Sequence, residues 1–134
     1  LMWSVGTTDV FDEWFTGLSN EERGEIEAKV NLLGMFGPAL HRPHADTLAG
    51  SKYPNMKELR ADVEHHTLRI AFAFDPMRKA ILLVGGDKRN KPQKHFYRQL
   101  IARADMLFAE HLAKHEQWKK RQQSKQSKKR HRRQ

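Results

Sequence analysis

KELRADVEHHTLRIAFAFDPMRKAILLV, residues 57–84, decides the fold. Leu68, Ile70, Phe72 and Phe74 alternate with Arg69, Ala71, Ala73 and Asp75, the period of two that marks a strand with one face on the core. Just upstream, Leu59, Ala61 and Val63 alternate in the same way with Glu58, Arg60 and Asp62. Downstream, Ala80 to Val84 is apolar without a break, as in a strand covered on both sides. The connections Glu64–Thr67 and Asp75–Lys79 are short enough for antiparallel hairpins, so the three strands form a meander.

The period changes on both sides of this block. Val10, Phe11, Trp14, Phe15 and Leu18 recur at helical spacing, with entry near Thr8 or Asp9. Ser19-Asn20-Glu21-Glu22 has the form of a capping box, a hydroxyl followed three residues later by a carboxylate. It opens a second helix with Ile26, Val30 and Leu33 inward and Gly34 or Gly37 near its end, so residues 9–36 form a helical hairpin. Met2 to Gly6 reads as a short strand. Residues 37–55 hold three of the five prolines and no apolar period, which predicts a surface loop. After Gly85-Gly86 and a polar loop from Asp87 to Lys94, a long helix carries Phe96, Leu100, Ala104, Leu107 and His111 on one line and Tyr97, Ile101, Phe108 and Leu112 on the next. It is expected to dissolve beyond Trp118. The resulting order, β-α-α-β-β-β-α, predicts an α+β domain with its helices on one face of an antiparallel sheet.

The formal charge of +9 is unevenly distributed. Nine of the 25 Lys/Arg lie in residues 119–134, KKRQQSKQSKKRHRRQ, leaving 16 against 16 Asp/Glu in residues 1–118. The expected organisation is a neutral domain, 1–118, followed by a basic tail, 119–134, disordered for want of apolar residues and with non-specific affinity for RNA. Within the domain, residues 1–30 carry seven acids against two bases, and residues 52–103 carry twelve bases against five acids. The hairpin is acidic and the sheet with its exit loop is basic. Because Leu59 and Leu68 face the core, Arg60 and Arg69 point away from it and share an open face, a candidate phosphodiester-binding surface. The chain has no cysteine, which excludes disulfides, thiolate metal sites and a Cys nucleophile. No apolar run approaches a membrane-spanning length, and no secretory leader is visible, so a cytoplasmic setting is expected. His111 and His115 are four residues apart, but no HExxH frame accompanies them and no metal is expected.

Four segments in register, LxGSKYPNMKELR, LRIAFAFD, ILLVGGDK and FYRQLIARADMLFAEHL, resemble the RelE/ParE superfamily of toxins in its HigB-like, phage Gp49-like branch. The resemblance runs from about Met2 to about Trp118. It implies a compact RelE-like domain and ribosome-dependent cleavage of mRNA by metal-independent attack of the 2′-hydroxyl, with no cofactor. It also implies control by a cognate helix-turn-helix antitoxin, with the ribosome and mRNA as further partners. Carried over by motif, Arg60 and Arg69 would hold the scissile phosphate. Lys88 would contact phosphate or transfer a proton, and Tyr97 would stack on a base or assist proton transfer. Tyr97 also lies on a helix line with Ile101 and Phe108, which fits a core residue with a wet hydroxyl equally well. Lys57, Arg89, Lys91, Lys94 and Arg98 are the surrounding RNA-binding candidates. A gyrase poison of ParE type and a non-catalytic RNA-binding module are the alternatives, since one fold serves several functions.

Overall fold

The computed structural model describes residues 2–133. Its elements are β1 (Val5–Thr7), α1 (Asp9–Thr16), α2 (Asn20–Phe36), β2 (Ala45–Thr47), β3 (Lys57–Val63), β4 (His66–Phe74), β5 (Ala80–Asp87) and α3 (Gln93–Arg133). The five strands form one sheet in the order β1-β5-β4-β3-β2. The meander β3-β4-β5 forms as the alternation predicts, and β1 adds to β5 in parallel at one edge. At the other edge, the proline-bearing segment is more ordered than a surface loop. Ala45 pairs with Leu59 and Thr47 with Lys57, which makes β2.

Both predicted caps are present. Ser19 and Glu22 bond reciprocally at 3.1 and 3.0 Å to start α2. Thr8 Oγ1 accepts from Phe11 N at 3.0 Å to start α1, and its hydroxyl donates to the Leu83 carbonyl at 2.6 Å, fixing the helix to β5. Gly37 ends α2 at φ 55°, where a Cβ would also collide with the Trp3 indole. Only glycine meets both conditions.

The helices occupy both faces of the sheet, where the sequence suggested one. Phe11, Ile26 and Leu33 from the hairpin pack on Leu59, Ala61, Leu68, Ile70, Phe72 and Leu82. On the opposite face Phe96, Leu100, Ala104 and Phe108 of α3 pack on Ala71, Ala73, Ile81, Leu83 and Val84. The alternation shows which residues share a face but not whether that face is wet. The buried alanines at 71 and 73 leave room for a helix to lie close to the sheet. A register shift beside Ala71/Phe72 moves the pairing from Ala71–Val84 to Phe72–Leu82. It accounts for the unbroken apolar run, because Leu83 and Val84 both turn to the α3 side.

The helix does not end near Trp118 but continues to Arg133. Lys, Arg and Gln are good helix formers, and neither Gly nor Pro interrupts residues 119–133. From Glu116 to Arg130 every residue except Gln122 is exposed, so the segment extends outward without tertiary cover. Thr8→Ala, which removes a cap and a strand anchor together, is expected to lower stability by about 1–2 kcal/mol in urea denaturation. Ser19→Ala, at an exposed cap, should cost about half as much. Equal losses would show that the Leu83 bond contributes nothing.

Candidate functional site

Helix α3 crosses β5 and β4, and the α3-facing side chains of β3 lie in a cleft beside it. The cleft holds about 400 Å³. Glu58 and Arg60 form its floor, Thr47 and Leu48 one wall, and Lys88, Gln93, Tyr97 and Ile101 the other. Strand alternation puts Glu58 and Arg60 there, with Asp62 on the same side of β3 but beyond the cleft lining, opposite in sense to the buried Leu59 and Ala61. Lys88 follows the last residue of β5, and Tyr97 stands in the second turn of α3.

Arg60 and Arg69 are direct cross-strand partners, but their environments differ. Arg69 is only 2% exposed. Its Nη1 donates to Asp62 Oδ1 at 2.6 Å and to the Leu68 carbonyl at 2.8 Å, and its Nε faces Glu58 Oε1 at 3.6 Å. That Nε makes no hydrogen bond. The side chain of Arg60 is half-buried and has no hydrogen-bond or ion-pair partner among the described residues. The predicted pair of phosphate-binding arginines thus divides into one free guanidinium above and one structural guanidinium below.

Glu58, which in the sequence is only one member of an alternation, is central to the cleft. The Tyr97 hydroxyl donates to its Oε1 at 2.7 Å. Burial, and then this bond to a carboxylate, push the Tyr97 phenol up to about 12, so it remains protonated near neutral pH. Lys88 Nζ lies 5.5 Å from the centre of the Tyr97 ring. Its pKa is lowered by burial and then by the positive charge of Arg69, which makes it a readier proton donor than an ordinary lysine. Arg42 at the rim of the cleft pairs with Asp46 at 2.8 Å and Arg69 beneath it with Glu58 and Asp62, so Arg60 and Lys88 are the unpaired cations of the lining among the described residues.

The other candidates are scattered. Lys57 shares the hairpin face with Leu59, and its Nζ donates to the Pro38 carbonyl at 3.4 Å, away from the cleft. Arg89, Lys94 and Arg98 are exposed around the start of α3. Lys91 lines a different cavity, against Phe96. The cleft also uses Thr47 and Gln93, which lie in the proline-rich segment and the polar loop and carry no periodic signal.

The division between the arginines is measurable. Arg69→Met leaves Glu58 buried without its cation and is expected to cost about 3–5 kcal/mol of folding stability. Arg60→Ala should stay within about 0.5 kcal/mol of the parent in the same denaturant titration. Comparable losses would contradict the assignment.

Residues 13–109 match the family described as Phage derived protein Gp49-like. Two proteins of Mycobacterium tuberculosis (strain ATCC 25618 / H37Rv), named as candidate toxins HigB2 and HigB3, are similar to the chain. The first is 43% identical over 120 residues, 87% of this chain and 59% of HigB2, so the chain spans less than two thirds of that relative. The second is 41% identical over 102 residues, 76% of this chain and 87% of HigB3. Among solved structures, a free variant of the E. coli toxin RelE matches with a TM-score of 0.54 at 8% identity, over 76% of this chain and 96% of that one. At that identity the likeness concerns the fold alone. The chain belongs to the Gp49-like, HigB-like family of toxins and carries the RelE fold.

Proposed function

We propose that the chain is the toxin of a type II toxin-antitoxin system and acts as a ribosome-dependent mRNA endoribonuclease. Its partners would then be a helix-turn-helix antitoxin, the ribosome and mRNA. The observation that carries this reading is that two available cations, Arg60 and Lys88, line one cleft with a protonated Tyr97 that is bonded to a carboxylate. That set is suited to phosphoryl chemistry without a metal. The 2′-oxygen attacks phosphorus as the bond to the 5′-oxygen breaks, leaving a 2′,3′-cyclic phosphate and a 5′-hydroxyl. Arg60 holds the non-bridging oxygens, on which charge accumulates in the phosphorane. The 2′ proton passes to the Tyr97 oxygen as the tyrosine hands its own proton to Glu58, so no phenolate accumulates. Lys88 gives a proton to the departing 5′-oxygen. Arg69 keeps Glu58 in place from below and does not touch the phosphate.

Inducing expression and mapping mRNA 5′ ends tests the reading. Growth arrest with new mRNA ends is expected, and Arg60→Ala should lower their formation about 100-fold. Cleavage should decline as pH rises through the lowered pKa of Lys88, at a lower pH than an ordinary lysine would set, because the ammonium is the acid that is lost. Arrest with intact mRNA and broken DNA would replace this reading with gyrase poisoning.

The basic continuation of α3 serves as an electrostatic arm in the same scheme. Nine Lys/Arg in residues 119–134, with no acid among them, attract RNA without reading its sequence. Deleting residues 119–134 is expected to weaken ribosome binding and flatten its dependence on salt. An unchanged salt titration would remove the arm from the scheme.

A further inference from the structure

A second cavity, of about 610 Å³, lies on the other flank of the first turns of α3. Trp14 of α1 and Phe96 of α3 supply aromatic surface, and Lys91, His95, Gln99 and Arg103 line the rest with the end of β5. Its floor is bare backbone. A Cβ at Gly85 would collide with the Trp14 indole, and one at Gly86 would stand 3.0 Å from the Phe96 ring. Glycine at both positions therefore lets the two rings lie directly on the strand.

Two cations, Lys91 and Arg103, line the cavity against one carboxylate, Asp87. Among the described residues, the side chains of Lys91, His95 and Arg103 have no ion pair or hydrogen-bond acceptor, although Lys91 Nζ stands 5.9 Å from the centre of the Phe96 ring. Asp87 is the single carboxylate on the lining, and its oxygens are already engaged by His66 Nδ1 at 2.6 Å, Thr67 N at 2.9 Å and Arg89 N at 3.0 Å. The partly exposed Trp14 indole, backed by the buried Phe96 ring and set beside unpaired Lys91 and Arg103 and the Gln99 amide, can stack a base, hold a phosphate and reach a base edge. An acidic protein segment would use the cations but has less use for an indole packed on the strand.

Position links this cavity to the first cleft. Tyr97 and Ile101 line the cleft, whereas His95, Phe96 and Arg103 line the cavity, so the two flank the same helix. The intervening loop contributes Lys88 to one and Lys91 to the other. We propose that the Trp14–Phe96 cavity is a second nucleotide subsite, which stacks one base of the RNA strand and binds its phosphate beside the linkage held at Arg60. The proposal rests on the RNA-cleaving reading, and it makes Trp14, Lys91 and Arg103 positioning residues for substrate.

Tryptophan fluorescence of the full chain titrated with adenosine 5′-monophosphate tests it. Saturable quenching is expected in the parent and in Arg60→Ala. It should vanish in Trp14→Phe, which retains an aromatic ring for folding, and should half-saturate at about tenfold higher nucleotide in Arg103→Ala. On ribosomes, Arg103→Ala should raise KM for cleavage and leave kcat unchanged. Quenching that survives Trp14→Phe, ignores Arg103→Ala, or is matched by inorganic phosphate overturns the subsite. A response to polyglutamate without one to the nucleotide overturns it in favour of an acidic protein partner. Quenching without any mRNA cleavage would reject the nuclease reading alone, whereas cleavage without quenching would reject the subsite alone.

Discussion

A guanidinium withdrawn from water must be matched by carboxylates, and much of the cleft follows from how Arg69 meets that requirement. It sits on the central strand directly across from a second arginine, an arrangement that repels unless anions intervene. Asp62 and Glu58 supply them, at 2.6 and 3.6 Å, from the neighbouring strand. Glu58, held low and buried, then becomes the acceptor for Tyr97 and fixes that ring in the wall contributed by α3. With Arg69 neutralised, Arg60 is the member of the cross-strand pair left unpaired in the cleft. Buried ion pairs of this kind add little net stability against an apolar substitute, but losing one partner is costly. Here the pair's use is positional: one charge is buried so that another stands free.

The same strand face also has to receive a helix, and small side chains make that possible. Ala71 and Ala73 continue the row that begins at Arg69, so one side of β4 passes from a buried ion pair to a close helix contact within five residues. Two polar ties hold α3 in that position. His111 Nε2 bonds Asp75 Oδ2 at 2.8 Å at the β4–β5 turn. Asp105 receives Ser51 Oγ and, at 3.1 Å, Lys52 N from the segment before β3. These ties lie about two and four turns beyond Tyr97, which fixes the helix axis and, with it, the width of both cavities beside the first turns.

The meander, the hairpin and its capping box are legible in the sequence because they rest on local periodicity and local hydrogen bonds. The exposed side of β3 is legible for the same reason, since the direction of Arg60 follows from Leu59. What covers a face is not a local property. Alternation assigns Arg69, Ala71 and Ala73 alike to the side away from the first core. It cannot show that α3 returns to cover Ala71 and Ala73, or that two acids of β3 enclose Arg69. Lys57 has the parity of Leu59 and Ala61, which sets it on the hairpin face and apart from Arg60. The role of Glu58 depends on Tyr97, 39 residues away, and no spacing rule connects them.

Charge completes the relation between fold and site. The hairpin, with its surplus of acids, lies on one side of the sheet, and the free cations of the two cavities gather on the other around the start of α3. An approaching polyanion is repelled from the first side and attracted to the second, which orients the molecule before any specific contact forms. The extended basic end of α3 enlarges this asymmetry, because a helix of 1.5 Å rise carries its charge well outside the domain. Long-range attraction through the arm and short-range chemistry at Arg60 are therefore carried by separate groups. Salt acts chiefly on the first, since screening weakens exposed charge more than charge held in a cleft. The strength of attachment can vary with ionic conditions while the geometry of the reacting groups stays fixed.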